Sequence, residues 1–114
     1  MAIGVDIEDI ERFKGKSEDF LHRVFTPLEL EYCLQFSKPE SHLAARFCAK
    51  EAVVKALTAL DIENVPYNKI EVFHNEKQYP QIRILKQIEK NIVFQVSLSH
   101  DRTKALAFVT AEEQ

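Results

Sequence analysis

Glycine is almost missing from this 114-residue chain, which holds only Gly4 and Gly15. With no Gly-rich loop to cradle phosphates, P-loop and Rossmann readings are excluded. No run of about 18 apolar residues occurs, so no membrane-spanning helix is available and no membrane partner is expected. The opening stretch MAIGVDIEDIERF lacks the basic and apolar regions of a secretory signal, so the expected location is cytoplasmic. The two cysteines, Cys33 and Cys48, have no CxxC spacing and lie in apolar helical patterns; they read as reduced, packed thiols. A net charge of −3 provides no long-range basic field, so no nucleic-acid partner is expected.

What is present describes an ordinary globular protein: 46% hydrophobic and 29% charged residues. The length suits a single domain over residues 1–114 that can bury one modest core without disulfides.

Residues 2–8 alternate, with Ile3, Val5 and Ile7 on one face and Gly4, Asp6 and Glu8 on the other, the period of a half-buried strand. A helical stretch over about 11–23, interrupted near Gly15, carries Arg12, Lys14, Lys16 and Arg23. Thr26, Pro27 and Glu29 supply an N-cap, a first-turn proline and a capping-box acid, opening a helix to about Phe36. The longest helical window runs from Glu40 to about Leu60. Short strands follow at about 70–73 and 81–84 around an Asn75–Pro80 turn, then a brief helix at about 85–90. A closing hairpin joins 92–99 to 104–110 through His100-Asp101-Arg102-Thr103. The fold class is α+β, a long central helix packed on an antiparallel sheet.

On the long helix Leu43, Phe47, Val54 and Leu57 form an apolar stripe; Lys50 falls inside it and Glu51 at its edge. Arg46 and Lys50 are four apart, as are Glu51 and Lys55, so two stacked charged pairs project from this helix. Glu51 and Lys55 also satisfy the description of a solvent-exposed helical ion pair, and Asp6 and Glu8 that of the wet side of an edge strand. His100, on the same face as Val96 and Leu98, fits a partly buried histidine equally well. Taken together, the residues match a pyrophosphate site. Asp6 and Glu51 can offer hard oxygens to Mg2+, while Arg46, Lys50, Lys55 and His100 can offset phosphate charge.

Three blocks, GVDIEDIERF, ARFCAKEAVVKAL and VSLSHDRTKALAFV, resemble those of bacterial holo-acyl-carrier-protein synthases, the short type of 4'-phosphopantetheinyl transferase. The resemblance implies transfer of the phosphopantetheine arm of coenzyme A to a serine of an apo acyl carrier protein, with Mg2+, in a homotrimer whose active sites lie between subunits. It implies Asp6 and Glu51 as metal ligands and Lys55 near the reacting phosphate. Arg46, Lys50 and His100 would bind coenzyme A, and Glu8, completing an Asp-x-Glu pattern, is a further candidate ligand. The basic residues of the 11–23 stretch become the expected docking surface for an acidic carrier, with Glu18 and Asp19 diluting it. Two family features are missing: a glycine-rich turn after Lys-Ala-Leu, where Thr58-Ala59-Leu60-Asp61 stands, and a Gly-Lys-Pro in the middle hairpin. Two alternatives use the same residues: a noncatalytic trimer that binds carrier or coenzyme A, and an Mg2+-dependent hydrolase of nucleotide pyrophosphates.

Overall fold

The computed structural model describes residues 1–114. In chain order the elements are β1 (Ala2–Asp9), a 3-10 turn (Ile10–Phe13), α1 (Glu18–Val24), α2 (Pro27–Cys33), α3 (Glu40–Ala59), a second 3-10 turn (Tyr67–Lys69), β2 (Ile70–His74), β3 (Pro80–Ile84), β4 (Ile92–His100) and β5 (Lys104–Glu113). The sheet that carries α3 is antiparallel with order β1-β5-β4; β2 and β3 form a separate hairpin.

The helix lies on the sheet because the facing residues are small. Ala105, Ala107, Val109 and Ala111 of β5 meet Ala44, Cys48, Ala52 and Ala56 of α3 in one buried core. At Gly4 the approach is closest, since a Cβ there would lie 1.9 Å from the carbonyl oxygen of Ala52. In register, Gly4, Asp6 and Glu8 pair with Val109, Ala107 and Ala105, and directly paired residues share a face. The carboxylates of β1 therefore face the helix, not solvent. The apolar side chains face outward instead, with Ile3, Val5 and Ile7 60%, 49% and 59% exposed. This inverts the wet-edge reading of Asp6 and Glu8: small residues, not large apolar ones, are what a close-packed helix requires here.

Twelve of the 20 residues of α3 are buried, so the helix is enclosed on most sides rather than along one stripe. The 11–23 stretch divides at Gly15, which sits at φ +67, into the first 3-10 turn and α1. The capping box at Thr26 and Glu29 forms as expected, but α2 stops at Cys33. No helix forms at 85–90. There the Leu85 N–H donates to the Lys69 carbonyl at 2.7 Å and the Lys90 ammonium to the Leu60 carbonyl at 2.7 Å, which ties down both ends of a segment that bends at 85–86 and 89–90. The missing glycines are replaced by residues in left-handed backbone: Asp61 and Asn64 after α3, and Gln78 in the β2–β3 turn. Asp and Asn visit that region more readily than other non-glycine residues.

Candidate active site

β1 and α3 bring Asp6, Glu8, Glu51 and Lys55 to one side of the helix. The Lys55 ammonium donates to the Val5 carbonyl at 2.9 Å and stands 3.5 Å from Asp6 Oδ1. The other oxygen of Asp6, Oδ2, is buried with no hydrogen-bond partner, a costly orphan unless a cation or water meets it. Glu8 accepts a 2.5 Å bond from Arg12. Burial, then the neighbouring Asp6, nevertheless holds the Glu8 carboxyl above its ordinary pKa.

Glu51 accepts a hydrogen bond from the Tyr67 hydroxyl. The Tyr67 phenol is pushed up to about 12 by burial, then by Glu51, with the charges of Asp6 and Glu8 adding to it. All three carboxylates thus act on one spot. Cys48, beneath them, is pushed up to about 12 by burial, then by Asp6 and Glu8, and its thiol donates to the Ala105 carbonyl at 3.3 Å. It is packing, not a nucleophile.

The donor set suits Mg2+, which is commonly held by one or two carboxylates completed by phosphate and water. No three His, Cys, Asp or Glu side chains close into a ready-made cage. Substrate oxygens would have to complete the shell around Asp6 and Glu51.

Lys50 has a different place from the one the motif suggested. Its side chain is 0% exposed and its ammonium lies 2.7 Å from Glu29 Oε1. It also donates to the carbonyls of Tyr67, at 2.8 Å, and Ile70. With three acceptors and no surface, it cannot reach a coenzyme. Burial lowers its pKa, with Glu29 acting in the opposite direction. Glu29 also accepts the Val72 N–H at 2.7 Å, so this ion pair pins α2, α3 and β2 together.

Arg46 and His100 stay apart from the carboxylates. The Arg46 guanidinium lies over the Tyr32 ring at 4.2 Å and beside His74 at 3.4 Å, lining a cavity of about 480 Å3 between α2 and the β2–β3 hairpin. His100 lines another, of about 640 Å3, with Lys38, Ser41 and Arg102. No hydrogen bond or ion pair joins either residue to the Asp6 cluster. Sequence reading missed Tyr67 altogether, because a single tyrosine in a loop carries no periodic signal.

The family model of the 4'-phosphopantetheinyl transferase superfamily matches residues 2–109. The chain belongs to this superfamily. Among curated relatives, the holo-[acyl-carrier-protein] synthase of Thermodesulfovibrio yellowstonii is 40% identical over 112 residues, covering 95% of each chain. That of Halothermothrix orenii is 36% identical and covers 98% of this chain and 97% of the relative. Of solved structures, the holo-[acyl-carrier-protein] synthase of Neisseria meningitidis superposes with a TM-score of 0.81 at 31% identity, covering 97% of both chains. The ACPS–CoA complex of Chronobacterium ammoniagenes gives 0.85 at 26% identity, covering 99% of this chain and 97% of that one. The α+β transferase fold expected from the sequence is therefore the observed one. No helix here is long and apolar enough to cross a membrane.

Proposed function

We propose that this transferase-superfamily chain moves the 4'-phosphopantetheine arm of coenzyme A onto a serine of an apo acyl carrier protein in the cytoplasm, as one catalytic domain over residues 1–114. The observation that carries this is the convergence of Asp6, Glu51 and Lys55, with a buried oxygen of Asp6 left unpartnered. The holo-[acyl-carrier-protein] synthase relatives and a neighbour in complex with coenzyme A support the choice of substrates.

Asp6 and Glu51 would hold Mg2+, with Glu8 a third ligand once Arg12 is drawn off. Bound there, the metal supplies Lewis-acid polarisation of pyrophosphate oxygens. The serine oxygen forms a bond to the β-phosphorus of coenzyme A. The bond from that phosphorus to the bridging oxygen breaks, and its electron pair leaves with 3',5'-adenosine bisphosphate. Lys55, surrounded by acceptors that suit an ammonium, offsets charge on the leaving phosphate. We assign the serine proton to the Glu51 carboxylate.

Arg46 and His100 bind coenzyme A phosphates in this reading, and they do so across a subunit boundary. Their separation from the carboxylates within one chain supports an active site built from two neighbours. The exposed apolar outer sheet face supports a homotrimer that covers it. Arg12, Lys14, Lys16 and Arg23 offer the positive surface that an acidic carrier would meet.

The test is intact mass spectrometry of an apo carrier incubated with the protein, coenzyme A and Mg2+, with an EDTA control. A gain of one phosphopantetheine, abolished by EDTA, is expected. Coenzyme A bound without transfer would move the assignment to a noncatalytic binder, and cleavage of coenzyme A without carrier gain would move it to a hydrolase.

A further inference from the structure

The loop after α3 returns to that helix at two consecutive residues. The carbonyl of Tyr67 accepts from the buried Lys50 ammonium at 2.8 Å, and the hydroxyl of the same tyrosine donates to Glu51 Oε1. Its ring packs on Phe47, with centroids 5.3 Å apart. Pro66 precedes it and the 3-10 turn closes through the Lys69 N–H on the Pro66 carbonyl at 2.9 Å. The backbone of Tyr67 is thus fixed from the core, and its side chain reaches out to a carboxylate at the edge of the site.

We infer that Tyr67 is a positioning residue: its hydroxyl holds the Glu51 carboxylate in the orientation that presents the free oxygen beside Asp6. This rests on the metal-site reading above and adds a residue to it. A Glu side chain has three rotatable bonds, and on an otherwise open helix edge it samples several rotamers. A donor on one oxygen removes that freedom without consuming the other oxygen. The same arrangement gives the buried Lys50–Glu29 pair a second consequence, because it fixes the residue that in turn fixes Glu51. Outer-shell partners of metal ligands commonly contribute about 10–100-fold to metal affinity or activity.

The experiment compares wild type, Tyr67→Phe, Tyr67→Leu and Glu51→Gln. Mn2+ binding is read by electron paramagnetic resonance in the presence of coenzyme A without carrier, so that no turnover occurs. Tyr67→Phe keeps the ring on Phe47 and removes only the hydroxyl. Its Mn2+ affinity is expected to fall about 10-fold while its melting temperature stays within a degree or two of wild type. In the transfer assay the Mg2+ concentration for half-maximal rate should rise by a similar factor, with kcat at saturating Mg2+ within about twofold. Wild-type Mn2+ affinity in Tyr67→Phe, with Glu51→Gln strongly impaired, overturns the role of the hydroxyl and leaves the metal site standing. Wild-type affinity in both variants overturns the metal-site reading as well. If only Tyr67→Leu loses Mn2+, ring packing and not the hydrogen bond sets Glu51, and the inference fails.

Discussion

The carbonyl oxygen of Ala52 on α3 occupies the space that any side chain at position 4 of β1 would need; a Cβ on Gly4 would come within 1.9 Å of it. The obstacle is helix backbone, so it cannot swing aside. Asp6 is two residues along that strand, and Glu51 is the neighbour of Ala52. The contact that makes glycine obligatory also sets the distance between the two proposed metal ligands.

Gly4→Ala should therefore act on both stability and rate. Forcing α3 off the strand should cost about 1–3 kcal/mol, read from denaturant unfolding. At a temperature where the variant remains folded, transfer should fall by on the order of 100-fold, since small misplacements of reacting groups are that costly. A folded variant with full activity would show that strand–helix spacing does not govern the site.

Lys50 separates a structural from a functional reading of the central motif. Lys50→Met leaves Glu29 buried without its counter-ion, and breaking such a pair costs about 3–5 kcal/mol. Adding Glu29→Gln should recover a large part of that loss in thermal melts. In the folded double variant, assayed at saturating Mg2+ so that any loosening of Tyr67 and Glu51 is offset, the Michaelis constant for coenzyme A should match wild type. A large rise there would restore Lys50 to the coenzyme pocket.

The sequence was most legible where local chemistry decides. The capping box at Thr26 needs only two side chains three positions apart, and α3 follows from propensity over a long window. Asp6, Glu51 and Lys55 are carried by the motif blocks, and the fold brings them to one side of α3. Lys50 was misplaced because its counter-ion, Glu29, is 21 positions away in sequence and no helical pattern announces a buried pair. Ile3, Val5 and Ile7 were misleading for a related reason: alternation tells which residues share a face, not which face the helix covers. The glycine-poor turns looked like a departure from the family, yet Asp61, Asn64 and Gln78 adopt the positive φ that glycine would adopt most easily.

Around Arg46, acid should loosen the fold. His42 is held below the ordinary histidine range by burial, then by Arg46, with His100 and His74 adding smaller effects; His74 is lowered by burial, then by Arg46. Phe36 stacks on His42 at 3.8 Å and Tyr32 lies 5.0 Å from His74, so the neutral rings are packed in place. A histidine whose folded pKa lies below its unfolded value binds fewer protons when folded. Its contribution is intact above about pH 6.5 and is lost as the pH falls below that value. Melting temperatures recorded from pH 8 to pH 5.5 should decline below about 6.5, and less steeply in a His42→Asn/His74→Asn variant. Parallel curves for the two proteins would remove the histidines from the account.

The outer sheet face gives the sharpest test of assembly. Val5 pairs with Phe108 and Ile7 with Leu106 across β1 and β5, and Phe108 is 45% and Leu106 40% exposed. In a lone chain Leu106→Asp and Phe108→Asp cost little, because both side chains already meet water. In a trimer they would bury charge against a neighbour, so sedimentation should show monomers and transfer should collapse while the fold persists. Mixing Glu51→Gln subunits with His100→Ala subunits then asks where the site is built. If carboxylates and phosphate-binding residues come from different subunits, random mixed trimers contain intact sites at roughly a quarter of their interfaces, and activity returns on mixing two impaired proteins. If each chain carries a whole site, every site in the mixture has a defect and nothing returns.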